Sequence, residues 1–173
     1  NETNPQTHYG ITKLNGEKKV LKYKLKDSVI IRTSWLYSKF GSNFVKKILH
    51  KIKMQKEIMV VDDEIGSPTN ASDLAKVIME ICPRISNNKT EIYHFSNLGH
   101  CSRFEFAKKI NEFVEGSCKI IPIKNNSIKV KRPKFSALNS SKIIEKFQLK
   151  INNWDKSLKN HLTKNRVTSN YEI

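Results

Sequence analysis

Residues 7–35 read THYGITKLNGEKKVLKYKLKDSVIIRTSW. Ile11, Leu14, Val20, Leu21 and Leu25 recur at helical spacing between Lys and Glu residues, which predicts an amphipathic helix over residues 7–25. Val29-Ile30-Ile31 follows at once, short, apolar and β-branched, and runs into Arg32-Thr33-Ser34-Trp35. This reads as a buried strand ending in a polar mouth. A helix handed directly to a buried strand is the repeating half of an α/β fold. Inside the helix, Tyr9 and Lys13 stand at i and i+4, on one face and a turn apart, so the ammonium can reach the phenol. A phenol beside a cation gives up its proton more readily, and general acid catalysis is the natural use of the pair. Tyr-x-x-x-Lys is also a common accident of amphipathic helices, so the surrounding chain has to decide.

Working outward, the alternation continues. Ser42 can cap a helix bearing Val45, Ile48, Leu49 and Ile52, and Ile58-Met59-Val60-Val61 is the next strand. Residues 62–70 read as a loop punctuated by Gly66 and Pro68, with Thr69 or Asn70 capping a helix through Leu74, Ile78 and Cys82 that ends before Pro83. Ile92-Tyr93-His94-Phe95 is a strand, and Ser102-Arg103-Phe104-Glu105 has the form of a capping box that opens a further helix. Residues 119–123 are extended, and Pro122 suits an edge strand. A polar loop over 125–133, a short helix from Ser140 or Ser141 to Phe147, and a last helix from Trp154 to Leu162 complete the chain. The tail past Thr163 is expected to fray, leaving 166–173 outside the fold.

With 173 residues, the chain can bury one substantial core. The net charge of +16 comes overwhelmingly from Lys spread through every segment, with no run of five like charges. That favours a solvated surface over a nucleic-acid footprint, while leaving room for an anionic small molecule. The three cysteines, Cys82, Cys101 and Cys118, show no CxxC spacing, so neither a disulfide framework nor a metal site is expected. No apolar run approaches a membrane span, which predicts a soluble, cytoplasmic protein. The six glycines never form a dinucleotide-binding or phosphate-binding loop, so the Gly-rich turn of any cofactor site is not in these residues. The sequence opens at Asn1, close before its strongest motif, so either a longer polypeptide precedes it or it is a piece.

Tyr9-Gly-Ile-Thr-Lys13, Ile31-Arg32-Thr33-Ser34-Trp35-Leu36-Tyr37, Gly41-Ser-Asn43-Phe44, Val60-Val61-Asp62-Asp63-Glu64-Ile65-Gly66-Ser67-Pro68-Thr69 and Lys131-Arg132-Pro133 form an ordered series. Together they resemble the dTDP-4-dehydrorhamnose reductases, extended short-chain dehydrogenases/reductases, over nearly the whole chain. The resemblance implies the C-terminal part of a Rossmann-like NAD(P)-binding fold plus a small α/β substrate-binding subdomain, with the N-terminal Gly-rich βαβ half absent. It places the catalytic helix and the later strands of the dinucleotide fold in 1–62 and mostly substrate-side structure in 63–165. It implies reduction of the C4 keto group of a dTDP-linked 6-deoxy sugar by NADPH or NADH. Tyr9 would donate the proton to the sugar O4, Lys13 would assist it and hold the nicotinamide ribose, and Thr33 would lie beside the cofactor. Trp35 would pack on the deoxysugar, and Asn43, Ser67, Thr69 and Arg132 would contact the substrate.

Each role has a structural alternative. Trp35 could be a half-buried core aromatic, Asn43 a helix start, Ser67-Pro68-Thr69 a turn and cap, and Arg132 part of a surface loop. The Gly-rich loop and the Ser or Thr that completes the family's catalytic set are missing here. The isolated chain is therefore expected to bind NADPH poorly, to turn nothing over and to expose strand edges. Another nucleotide-sugar epimerase or reductase, or a non-catalytic relative resembling the methionine adenosyltransferase regulatory subunit, is the alternative. A homodimer is left open.

Overall fold

The computed structural model describes residues 3–125 and 133–167, in which helices and strands alternate. Helix α1 (His8–Lys22) begins at Thr7, whose hydroxyl accepts a bond from the Gly10 amide at 3.1 Å. It ends short of Leu25, because Lys24 and Asp27 take positive φ in the turn to strand β1 (Val29–Arg32). After β2 (Leu36–Tyr37), helix α2 (Phe44–Met54) is capped by Asn43 and not by Ser42, since Asn43 Oδ1 accepts from the Lys46 amide at 3.2 Å. Strand β3 (Glu57–Val61) follows. Residues 62–70, expected to be loop, contain two further strands, β4 (Ile65–Gly66) and β5 (Thr69–Asn70). Such short pairings carry no periodicity in the sequence.

Asn70 caps α3 (Ala71–Ile81), and a single 3₁₀ turn holds Pro83. Strands β6 (Glu91–His94) and β7 (Cys101–Ser102) lead into α4 (Arg103–Phe113), where both arms of the Ser102/Glu105 capping box form. Strand β8 (Lys119–Ile123), β9 (Phe135–Ser136), α5 (Ser141–Phe147) and α6 (Trp154–Val167) complete the order. Helix α6 continues past Thr163, where fraying was expected, with Leu158 and Leu162 buried. Residues 168–173 and most of the 125–133 loop lie outside the described residues.

The two longer ladders are parallel: β1 with β6, from Val29 opposite Glu91 to Arg32 opposite His94, and β3 with β8, from Glu57 opposite Lys119 to Val61 opposite Ile123. Pro122 faces Val60 on β8, which pairs only with β3 among the described residues; an edge is where a residue without an N–H belongs. Strand β2 pairs with β5, and β4 lies between β7 and β9.

Two apolar cores result. One gathers Val77, Ile81, Tyr93, Phe95, Ile143 and Phe147, with Val29 and Ile31 against it. The other gathers Tyr37, Val45, Ile48, Ile58, Phe106, Ile110, Leu158 and Leu162, with Trp35 and Phe44 against it. Each core draws on residues from both sides of position 62, so the chain crosses between them repeatedly. Helix α1 contributes to neither: it buries no residue, and Ile11, Val20 and, just beyond it, Leu25 stay exposed. No described helix is long and apolar enough to cross a membrane.

A buried polar network ties α3 to α6 beside the second core. The Asp73 carboxylate accepts from Asn97 Nδ2 at 2.9 Å and from the Ser157 hydroxyl, and Asn97 Oδ1 accepts from the Asn70 amide at 2.8 Å. His161, one turn past Ser157, is buried edge-on to Tyr37 with ring centroids 5.1 Å apart. Burial pushes the His161 imidazole down to about 4, against the opposing pull of Asp73. The folded state thus binds fewer protons than the unfolded chain, whose histidine titrates near about 6.5. The stability from neutral His161 is complete above about pH 6.5 and is lost as pH falls through about 4, a contribution of up to about 3 kcal/mol. His161→Phe should flatten the decline of Tm over that window; parallel Tm profiles for the two proteins would show that His161 does not drive it.

Candidate active site

Tyr9 and Lys13 occupy the first two turns of α1, with Lys13 Nζ 5.4 Å from the centre of the Tyr9 ring. Helix α1 adds nothing to either core, with Leu14 and Leu21 only half-buried, and a polar contact ties it to the sheet. Two turns beyond Tyr9, Glu17 accepts from Arg32 Nη2 at 2.5 Å and from Arg32 Nε at 2.8 Å, a two-pronged pair with Glu17 largely buried. Arg32 is the last residue of β1, so the pair fastens the helix to the strand end. The hydrogen bond to Glu17 raises the Arg32 guanidinium above its ordinary value, partly offset by burial. Opposite Arg32 on β6, His94 Nε2 lies 3.4 Å from Arg32 Nη1, and burial, then the Arg32 charge, push the imidazole below its usual value.

Beyond β1 the chain turns at Trp35, which holds a left-handed φ of 46°, a conformation that disfavours bulky side chains. The ring is set over Gly66: a Cβ added at Gly66 would lie 2.3 Å from Trp35 Cε2. The Trp35 carbonyl accepts from the Thr69 amide at 3.3 Å, and Ser34 Oγ donates to the Ser67 carbonyl at 2.7 Å. The Arg103 guanidinium lies over the Trp35 ring, Cζ 3.6 Å from its centre, and 4.9 Å from the centre of Phe44.

Tyr9 and Trp35 meet in one cavity of about 460 Å³, with Thr7, Glu64, Arg103, Pro133 and Ser136. Lys13 faces a different, open hollow of about 1370 Å³, bordered by Gly10, Glu17, Arg32, His94 and Phe135. The Tyr9–Lys13 pair therefore sits on the seam between two spaces. A third cavity of about 560 Å³ takes in Asn43, Phe44, Lys47, Lys51, Glu64 and Arg103.

The other expected residues fall elsewhere. Thr33 is exposed and donates to Thr69 Oγ1 at 3.2 Å. Thr69 and Ser67 are fully buried, and Ser67 Oγ donates to the Gly99 carbonyl at 3.0 Å and accepts from the Leu138 amide at 3.3 Å. Both brace the loop behind Trp35 and do not line the Tyr9 cavity. Asn43 caps α2, donates to the Ser38 carbonyl at 2.8 Å and borders the third cavity. Arg132 lies outside the described residues. Sequence reading missed Arg103 and Glu64: Arg103 is hidden inside a capping-box pattern, and Glu64 in a stretch read as loop. Glu64 is buried and accepts from Asn125 Nδ2 at 2.7 Å.

The family profile described as the RmlD substrate binding domain matches residues 1–167. The chain belongs to this family. Among relatives of this RmlD-type chain, the spore coat polysaccharide biosynthesis protein SpsK of Bacillus subtilis is 38% identical over 160 residues, 91% of this chain and 54% of that protein. The dTDP-4-dehydrorhamnose reductase of Escherichia coli is 32% identical, over 92% of this chain and 56% of its own length. A crystal structure of the dTDP-4-dehydrorhamnose reductase of Bacillus anthracis in complex with NADP superposes with a TM-score of 0.87 at 34% identity, covering 95% of this chain and 58% of that one. The RmlD-type chain thus spans little more than half the length of these relatives, and it matches their C-terminal part. Its mixed α/β architecture is the C-terminal part of their Rossmann-like fold.

Two substitutions probe this arrangement. Glu17→Gln removes the charge that holds Arg32 and should cost about 1–3 kcal/mol. Hydrogen exchange should quicken in α1 ahead of β1; uniform protection would mean that the ion pair does not anchor the helix. Gly66→Ala forces a methyl group into the Trp35 ring and should lower stability by about 1–3 kcal/mol with a change in tryptophan emission. An unaltered melt and spectrum would rule out so close a seat.

Proposed function

We propose that this chain carries the catalytic helix and the substrate side of an NAD(P)H-dependent reductase acting on the C4 keto group of dTDP-4-dehydro-6-deoxy-L-mannose, which yields dTDP-L-rhamnose. The observation that carries this reading is the seam: Tyr9 opens into the Trp35 cavity while Lys13, one turn on, faces the larger hollow. A carbonyl held in the first space can receive a proton from Tyr9 while the second space accommodates a cofactor. The names of the relatives, and the NADP in the Bacillus anthracis structure, support the same assignment.

The nicotinamide, when bound, supplies the hydride. The hollow bordered by Gly10, Lys13 and Arg32 is open, and with Arg32 paired to Glu17 the Lys13 ammonium is left to meet a ribose there. The Gly-rich turn that would cradle a pyrophosphate is not among the six glycines, so these residues would not supply that seat. Tyr9 orients and protonates the sugar O4, and Lys13 sets a positive charge beside the phenolate this leaves. Trp35, on its Gly66 seat, closes the sugar cavity against water, and Thr33 stands at the mouth of β1. Ser67 and Thr69 act by holding the loop that carries Gly66. Asn43 and Arg132 remain assigned to the substrate.

In this reading the core around Tyr93 and Phe95 belongs to the dinucleotide side, and the core around Phe106 to the substrate side. The uncovered face of α1 is the place where the rest of the dinucleotide-binding fold would pack. A nucleotide-linked substrate supports a cytoplasmic location, with no role for nucleic acid, and a homodimer is compatible with the exposed surface.

The test is turnover of the dTDP-linked 4-keto sugar by the protein that carries this chain, with NADPH and NADH compared. Tyr9→Phe should lower kcat by about 10²–10⁴ while KM changes little. The 173 residues alone should show no turnover. Full activity in Tyr9→Phe, or a preference for UDP- or GDP-sugars, would displace the assignment.

A further inference from the structure

Arg103 belongs to two cavities at once. It borders the Tyr9–Trp35 space and, with Glu64, the neighbouring space floored by Phe44 and flanked by Lys47 and Lys51. Its guanidinium touches the Trp35 face at 3.6 Å and stands 4.9 Å from the Phe44 ring centre. A separation of 3.6 Å is reached by stacking, which uses the flat face of a guanidinium. Its N–H groups lie in the plane of the fork, and the residue lines both cavities. The stack also covers one face of Trp35 while Gly66 lies close against the ring, so an occupant of the Tyr9 cavity meets Arg103 as directly as it meets the indole.

The charges match one kind of ligand. Among the described residues lining the two cavities, Lys47, Lys51 and Arg103 are cationic, and Glu64 is the carboxylate set against them, buried and receiving the Asn125 amide. Two chambers joined at a planar cation suit a molecule with two largely uncharged ends and an anionic link. We propose that Arg103 is the diphosphate contact of this site: the sugar lies in the Tyr9 chamber, the nucleoside in the Phe44 chamber, and the diphosphate meets the Arg103 fork between them. The bidentate match of guanidinium to phosphate oxygens makes Arg103 a substrate-positioning residue. This rests on reading the chain as a nucleotide-sugar enzyme.

Calorimetric titration of the protein carrying this chain with dTDP, thymidine and NADPH tests it. In Arg103→Met, affinity for dTDP should fall about tenfold or more, while thymidine and NADPH stay within about twofold. Arg103→Lys should restore part of the loss, since it returns the charge without the fork. Where Arg103→Met melts below the assay temperature, Arg103→Gln serves with the same expectation. Unchanged dTDP affinity overturns the proposal, as does an equal loss for thymidine, which would mean that Arg103 only shapes the cavity. A parallel loss of NADPH binding overturns it in favour of a cofactor contact. Failure of the parent reading looks different: a wild-type protein that prefers UDP or GDP, with the same loss in Arg103→Met, ends the rhamnose assignment and keeps the diphosphate contact.

Discussion

The ion pair between Glu17 and Arg32 is the interaction on which the site depends. A helix normally holds its place by burying a stripe of apolar side chains, and that packing supplies most of its stability in a protein. Helix α1 buries none fully, Leu14 and Leu21 being half-covered, so the two hydrogen bonds from Arg32 to Glu17 take a large part in the positioning. A two-pronged guanidinium–carboxylate pair fixes orientation as well as distance, which a single contact would not. It lies one turn from Lys13 and two from Tyr9, and its anchor is the end of a parallel strand. The reach of Tyr9 toward the Trp35 cavity is thus set from the sheet.

The same strand end sets the other wall. Three residues after Arg32, the left-handed turn at Trp35 drops the indole onto Gly66, where a side chain on residue 66 would not fit. The short β2–β5 pairing and the buried hydroxyls of Ser67 and Thr69 hold the segment that carries Gly66. The stacked Arg103, delivered by the first turn of α4, joins the Trp35 wall to the Phe44 wall of the second cavity. Trp35 thus combines a left-handed backbone with close contacts on its ring.

Much of this architecture was legible from local pattern. Val29-Ile30-Ile31 and Ile58-Met59-Val60-Val61 announced strands because short, apolar, β-branched runs favour extended backbone, although Met59 on β3 stays exposed and β1 is only half-buried. The capping box at Ser102 announced α4 because the same two residues satisfy each other's backbone groups wherever they occur. The cap of α2 was misplaced by one residue, since Ser42 and Asn43 are equally good acceptors and the backbone decides between them. Strands β4 and β5 were invisible because pairs of residues take their partners from elsewhere in the chain. Helix α6 runs on to Val167, and the burial of Leu158 and Leu162 that fixes its earlier turns is recorded by no local propensity.

The sequence by itself determined the α/β alternation, the Tyr9–Lys13 pairing and the family, because each depends on spacing within a turn or on motifs in fixed order. Tertiary structure alone decided that Tyr9 and Lys13 face different spaces, that Ser67 and Thr69 brace the site from behind, and that Arg103 and Glu64 stand between two cavities. Those facts depend on which strands pair and on where Trp35 can lie. They are set by contacts between residues far apart in the chain, whose geometry no local pattern encodes.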